Sequence, residues 1–149
     1  MKKLTIALLL AAGCLLMSAP VGAARAFDLS GNSYNVFILC SDDVGDFCDN
    51  GKTINDKFIF DGNSFAINSF EEEWGGLADN GNFSSGGLTF DASYTAIKGL
   101  AEYEFTIKGL SLVDIILLGK MDIKYSEIII WPPDKIDASG SALFIGIKN

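Results

Sequence analysis

Ala101, Tyr103, Phe105 and Ile107 alternate with Glu102, Glu104, Thr106 and Lys108. Eight residues of strict period two put one apolar and one wet face on an extended chain, which excludes a helix there and predicts a half-buried strand. Leu88, Phe90, Ala92 and Tyr94 alternate with Thr89, Asp91, Ser93 and Thr95 in the same way, as do Met121, Ile123 and Tyr125 with Lys120, Asp122 and Lys124. Antiparallel sheets with one solvated side carry this pattern.

Between the runs sit Asn50-Gly51, Asp61-Gly62 and Asn80-Gly81, dipeptides that supply the left-handed backbone of tight hairpins. Phe58 to Phe60, then Asp61 to Ser64, then Phe65 to Ile67 is the clearest hairpin. Further strands are expected at Tyr34 to Cys40, Ile115 to Leu118, Ile128 to Trp131 and Ala142 to Ile147. Pro132-Pro133 ends the strand before it. Leu110 to Leu118 is compatible with a short helix. About eight short strands define an all-β chain, either a single small antiparallel β-barrel or a β-sandwich. A membrane-spanning barrel alternates too, with its apolar face toward lipid.

Leu29-Ser30-Gly31-Asn32-Ser33-Tyr34-Asn35 resembles the first strand of lipocalin-like and avidin-like barrels, where Gly is followed two positions later by Trp. Ser33 stands in the Trp position. The resemblance implies a small calycin-type barrel with an interior that holds a ligand.

The chain begins Met1-Lys2-Lys3, continues with an apolar run from Leu4 to Met17, and reaches Ala24-Arg25-Ala26. Basic, apolar and small-residue regions in that order predict a signal peptide over residues 1–26, with the domain at residues 27–149. The apolar run is shorter than the roughly 20 residues a bilayer helix needs. An alternative reading is a lipoprotein anchored through Cys14, since Ala12-Gly13-Cys14 ends like a lipobox. Either way the expected location is periplasmic or secreted, with no membrane span after cleavage.

Losing Lys2, Lys3 and Arg25 from 11 basic residues leaves 8 lysines against 19 acids, a net charge of −11 with no arginine or histidine. Phosphate backbones are bound chiefly by Lys and Arg, so nucleic acid is an unexpected partner. The missing histidine, with no nucleophile elbow or phosphate loop, also argues against an enzyme. Neither cofactor nor catalytic residue is expected.

Cleavage leaves two cysteines, Cys40 and Cys48, and an even count outside the cytoplasm predicts a disulfide. Closing so short a loop stabilises by about 2–3 kcal/mol in the chain-entropy account. No register of Asp42, Asp43 or Asp46 meets the EF-hand pattern. An irregular calcium site from Asp42, Asp43, Asp46 and Asp49 is the alternative to an acidic, solvated loop. Glu71-Glu72-Glu73-Trp74 reads as a solvated strand end, and Trp131 as a cap over one barrel end.

Two functions follow. The barrel binds a small apolar molecule in an interior lined by Phe58, Phe60, Phe90, Tyr103 and Phe105, or it is a non-catalytic structural or interaction protein, meeting another envelope protein, with that interior packed. Interior volume separates them.

Overall fold

The computed structural model describes residues 28–72, 77–131 and 133–149; residues 1–27, on which the expected signal peptide falls, residues 73–76 with Glu73 and Trp74, and Pro132 lie outside them. Eight strands follow in order: β1 (Asn32–Cys40), β2 (Thr53–Asp61), β3 (Ser64–Ile67), β4 (Leu77–Gly86), β5 (Thr89–Lys98), β6 (Ala101–Leu112), β7 (Ile116–Ile129) and β8 (Asp134–Lys148). A short helix, α1 (Asn68–Glu72), joins β3 to β4. Each strand pairs antiparallel with the next, and β8 returns to β1, closing the barrel. The sandwich alternative is thereby excluded. Among the described residues β3 is the short member of the ring: it pairs with Phe58–Asp61 of β2 and, at Ser64 and Phe65, with β4, so Thr53–Lys57 of β2 extends beyond it.

The period-two runs set the register. Phe58 and Phe60 face Ile67 and Phe65 across the β2–β3 hairpin, whose Gly62 takes a φ of 58°. Tyr103, Phe105 and Ile107 of β6 meet Tyr125, Ile123 and Met121 of β7 on the inner face. Outward from the same two strands point Glu102, Glu104, Asp122 and Lys124, all exposed. A barrel that crosses a bilayer carries the reverse arrangement, so these charges belong to a barrel wetted on this side.

Three sequence expectations are corrected. Asn80-Gly81 is not a hairpin turn but lies within β4, where the pairing with β5 shifts between Asp79 and Asn82. An inward Cβ at Gly81 would stand 2.1 Å from the Ser93 carbonyl oxygen, so the glycine serves close strand approach. Leu110 to Leu118 is not a helix: it ends β6, turns at Val113 and Asp114, and starts β7. The runs expected at Ile115–Leu118, Lys120–Tyr125 and Ile128–Trp131 are one long strand, Ile116–Ile129, rather than three, with Ile115 in the turn before it and Ile130 and Trp131 in the turn after it.

Inside, Phe90, Gly109, Gly119 and Phe144 form one row across β5, β6, β7 and β8. A Cβ on Gly109 would lie 2.4 Å from the Phe90 ring, and one on Gly119 would lie 2.6 Å from the ring of Phe144. The two rings therefore fold over the two glycines and approach each other, their centroids 6.3 Å apart. Large beside small is how a tapering barrel is filled.

Candidate functional site: the aromatic interior and its plugged end

All five residues expected to line a ligand cavity point inward. Phe58 and Phe60 come from β2, Phe90 from β5, and Tyr103 and Phe105 from β6; none is more than 1 % exposed. A cavity among them would leave free surface on their rings, and they have almost none. Their neighbours are other rings. Phe60 meets Tyr34, Phe65, Phe83 and Phe90 at 5.0–5.8 Å, mostly edge to face. Phe58 meets Phe65 and Phe144, each at 5.2 Å. Such pairs contribute about 0.5–1.5 kcal/mol each beyond area burial.

Phe105 joins this core to two rings that sequence reasoning missed. Phe47, from the disulfide loop, and Phe70, from α1, each meet it edge to face with centroids 5.2 Å away, and lie 5.3 Å from each other. Both come from segments at the end of the barrel where β1 finishes and β4 begins, so together they plug that end. Phe47 sits among the acids of CSDDVGDFCDNG, and its one apolar neighbour in that stretch, Val44, is buried too. An isolated apolar pair in an acidic loop is the signal that marks a plug.

Cys40 and Cys48 form the disulfide, with Cα atoms 5.6 Å apart. Val44 and Cys48 exchange both backbone hydrogen bonds, at 2.7 and 3.2 Å, tightening the loop. Gly45, at a φ of 54°, lies so close under Tyr103 and Tyr125 that a Cβ would stand 2.7 Å from the Tyr103 hydroxyl. The Asp46 amide donates to that hydroxyl at 3.1 Å. Sequence reading of a solvated acidic loop thus describes its carboxylates but not its apolar half.

Those carboxylates diverge. Asp42 accepts from the Ser141 amide at 2.9 Å, Asp43 from the Asn50 amide at 2.6 Å, and Asp49 pairs with Lys52 at 2.6 Å. Asp46 lies 4.0 Å from Lys98. Among the described residues no three such side chains converge on one point. Glu71 belongs to α1 rather than to a strand, and it accepts a hydrogen bond from the Tyr94 hydroxyl at 3.2 Å. Trp131 does not cap the barrel: it is 88 % exposed in the β7–β8 turn. The plug occupies that end instead.

Four tyrosines carry their hydroxyls to the barrel ends, where carboxylates meet three of them. Tyr34 donates to Asp114 at 3.3 Å, and Lys148 holds the same carboxylate at 2.8 Å. Burial, with the Asp114 charge behind it, pushes the Tyr34 phenol up to about 12. Burial and then Glu71 raise Tyr94; burial raises Tyr103; the hydrogen bond to Glu127 and then burial raise Tyr125. Each folded value lies above the unfolded one near 10, so each contribution is complete below about pH 10 and lost as pH rises through the folded value. Resistance to urea is expected to hold from neutral to about pH 9.5. Above that it falls with rising pH, chiefly through the buried Tyr34, Tyr94 and Tyr103, the contribution of the more exposed Tyr125 being screened by solvent. Urea midpoints at about pH 8 and pH 11 check this; equal values contradict it.

Two open depressions lie elsewhere, and none of the five aromatics lines either. One, of about 450 Å³, runs between β2, α1 and the disulfide loop past Phe47, Ile54, Asp56 and Ser69. Asp56 accepts there from the Ser69 amide at 3.1 Å and hydroxyl at 2.6 Å, fastening α1 to β2. The other, of about 390 Å³, lies on the outer wall between Glu104, Lys124 and Asp137.

Fold and interior define an eight-stranded up-and-down antiparallel barrel with an aromatic-filled core and one plugged end. Comparison of the chain with protein-family models, curated proteins and solved structures finds no match. Among the described residues no helix is long and apolar enough to cross a membrane.

Proposed function

We propose that this is an exported, non-catalytic β-barrel of the cell envelope, periplasmic or secreted, that acts through its outer surface and carries nothing inside. One observation carries the reading: the five inward aromatics have no more than 1 % exposure, with the Phe47 and Phe70 rings packed onto them. A carrier of small apolar molecules needs a few hundred cubic ångströms of room. To make it here, both plug rings would have to leave while one is tethered by the disulfide loop. The Cys40–Cys48 bond favours an oxidising compartment, as does the leader. Free export is preferred over a lipid anchor at Cys14. The order of eight antiparallel strands supports a calycin-type kinship.

Met121 is the sole methionine after leader removal, and its side chain is fully buried in the interior. Titrating the chain from Phe27 with palmitate, while following the Met121 methyl resonance, is expected to leave that resonance unmoved. A saturable shift would return the interior to ligand binding.

A further inference from the structure

We infer that the outer wall formed by β6, β7, β8 and β1 is the interface of a two-fold symmetric dimer of this chain. The inference rests on the reading that the outside of the barrel, not its inside, is the working surface.

The outward positions of these four strands align in rows. Leu110, Leu118, Ile145 and Phe37 occupy one row, paired in succession across the strands. On one side of it runs Leu112, Ile116, Ile147 and Asn35; on the other, Lys108, Lys120, Leu143 and Leu39. Nine of these twelve positions are aliphatic or aromatic, and none is acidic. The middle of the same wall is different, with Glu102, Glu104, Asp122 and Asp137 outward, and beyond it Ile128 is exposed again. The apolar rows are thus bordered by a charged band on the same wall.

Phe37, Leu39, Leu110, Ile116, Leu143 and Ile147 are between 36 % and 54 % exposed. With roughly 150–250 Å² on a large side chain, they leave on the order of 500 Å² of apolar surface in water. That is the upper range of what a monomer tolerates. It also equals the apolar share of one side of a standard interface, about 800 Å² per partner of which roughly 60 % is non-polar.

Shape and charge select a second copy as the occupant. A broad four-stranded face of branched side chains packs best on another such face, about 10 Å away, and this chain supplies one. A two-fold contact uses the same patch twice. At −11 after leader loss, two copies repel each other over most of their surface, and the acid-free patch is where they repel least. Its margin carries both signs: Lys108 stands opposite Asp91 in the β5–β6 pairing, and Lys120 pairs with Asp122 at 2.7 Å. A mixed margin complements a copy of itself.

Sedimentation velocity of the chain from Phe27 at micromolar concentration is expected to give twice the monomer mass, falling to one on dilution. Phe37→Glu with Leu143→Glu, both on exposed residues, is expected to give a monomer at every concentration with the sheet spectrum kept. Glu104→Lys, on the charged band, is expected to stay dimeric. Should the double variant lose the sheet spectrum, Leu143→Lys alone carries the same reading. A monomeric native chain, or a dimer that survives the substitutions, overturns the inference. So does a native monomer that sediments with phosphatidylcholine vesicles, which assigns the face to lipid. A ligand found inside the barrel would contradict the packed interior and leave the dimer standing; a monomer does the opposite.

Discussion

Replacing Gly119 by valine is expected to abolish folding. A Cβ there meets the Lys108 carbonyl oxygen at 2.3 Å, the Phe144 ring at 2.6 Å and the Gly109 Cα at 2.8 Å. Two of these three are backbone atoms of the paired β6 strand, which cannot rotate away without breaking the ladder. The third is a ring held against Phe58 at 5.2 Å. Gly119→Ala meets the same atoms and is expected to cost more than about 3 kcal/mol, at the severe end of overpacking. Gly86→Ala is the control: nothing lies within 4 Å of a Cβ at that position. It is expected to be neutral or slightly stabilising, because alanine restricts the unfolded chain. Urea unfolding of the three variants compares them directly, and a Gly119→Ala protein as stable as the parent contradicts the packing of this row.

Phe105→Ala is expected to lower stability by about 3–5 kcal/mol, and the thermal midpoint by at least 10 °C or so. The ring touches Phe47, Phe70, Tyr94 and Tyr103, so its removal loosens wall, helix and disulfide loop together. Loss of the plug contact gives the variant a second signature: Cys40 and Cys48 should become reducible at lower thiol concentration than in the parent. Ile97→Ala, on the exposed side of β5, is expected to change stability by about 0.5 kcal/mol or less. Thermal unfolding followed by circular dichroism distinguishes the two. Similar small losses at both sites would mean that the interior is not packed around Phe105.

How much of this was readable beforehand depends on period. Where one face is wet, as in Ala101 to Lys108, alternation marks both the strand and its inward residues, Tyr103 and Phe105 among them. Where both faces are apolar, the pattern disappears. Leu110 to Leu118 and Ala142 to Ile147 are such stretches, and the first was open to a helical reading. The cause is the outer apolar patch itself, since outward Leu110, Leu118, Ile145 and Ile147 fill the positions that would otherwise be polar. A failed alternation was therefore a signal of a surface. Asn80-Gly81 misled for another reason: turn chemistry and a strand interior both accept glycine, and only contact with Ser93 and Phe65 across the sheet decides. The plug was hidden because Phe47 and Phe70 sit in segments without period, where burial is set by tertiary placement alone.

The central claim is that the barrel is filled by its own side chains. Its most direct test is the intact mass of the exported protein, purified without denaturation and measured under native and then denaturing conditions. The account predicts a polypeptide beginning at Phe27, lighter by two hydrogens for the Cys40–Cys48 bond, with no further molecule released on unfolding. A small apolar molecule present at one per chain in the native spectrum and freed on unfolding would contradict it.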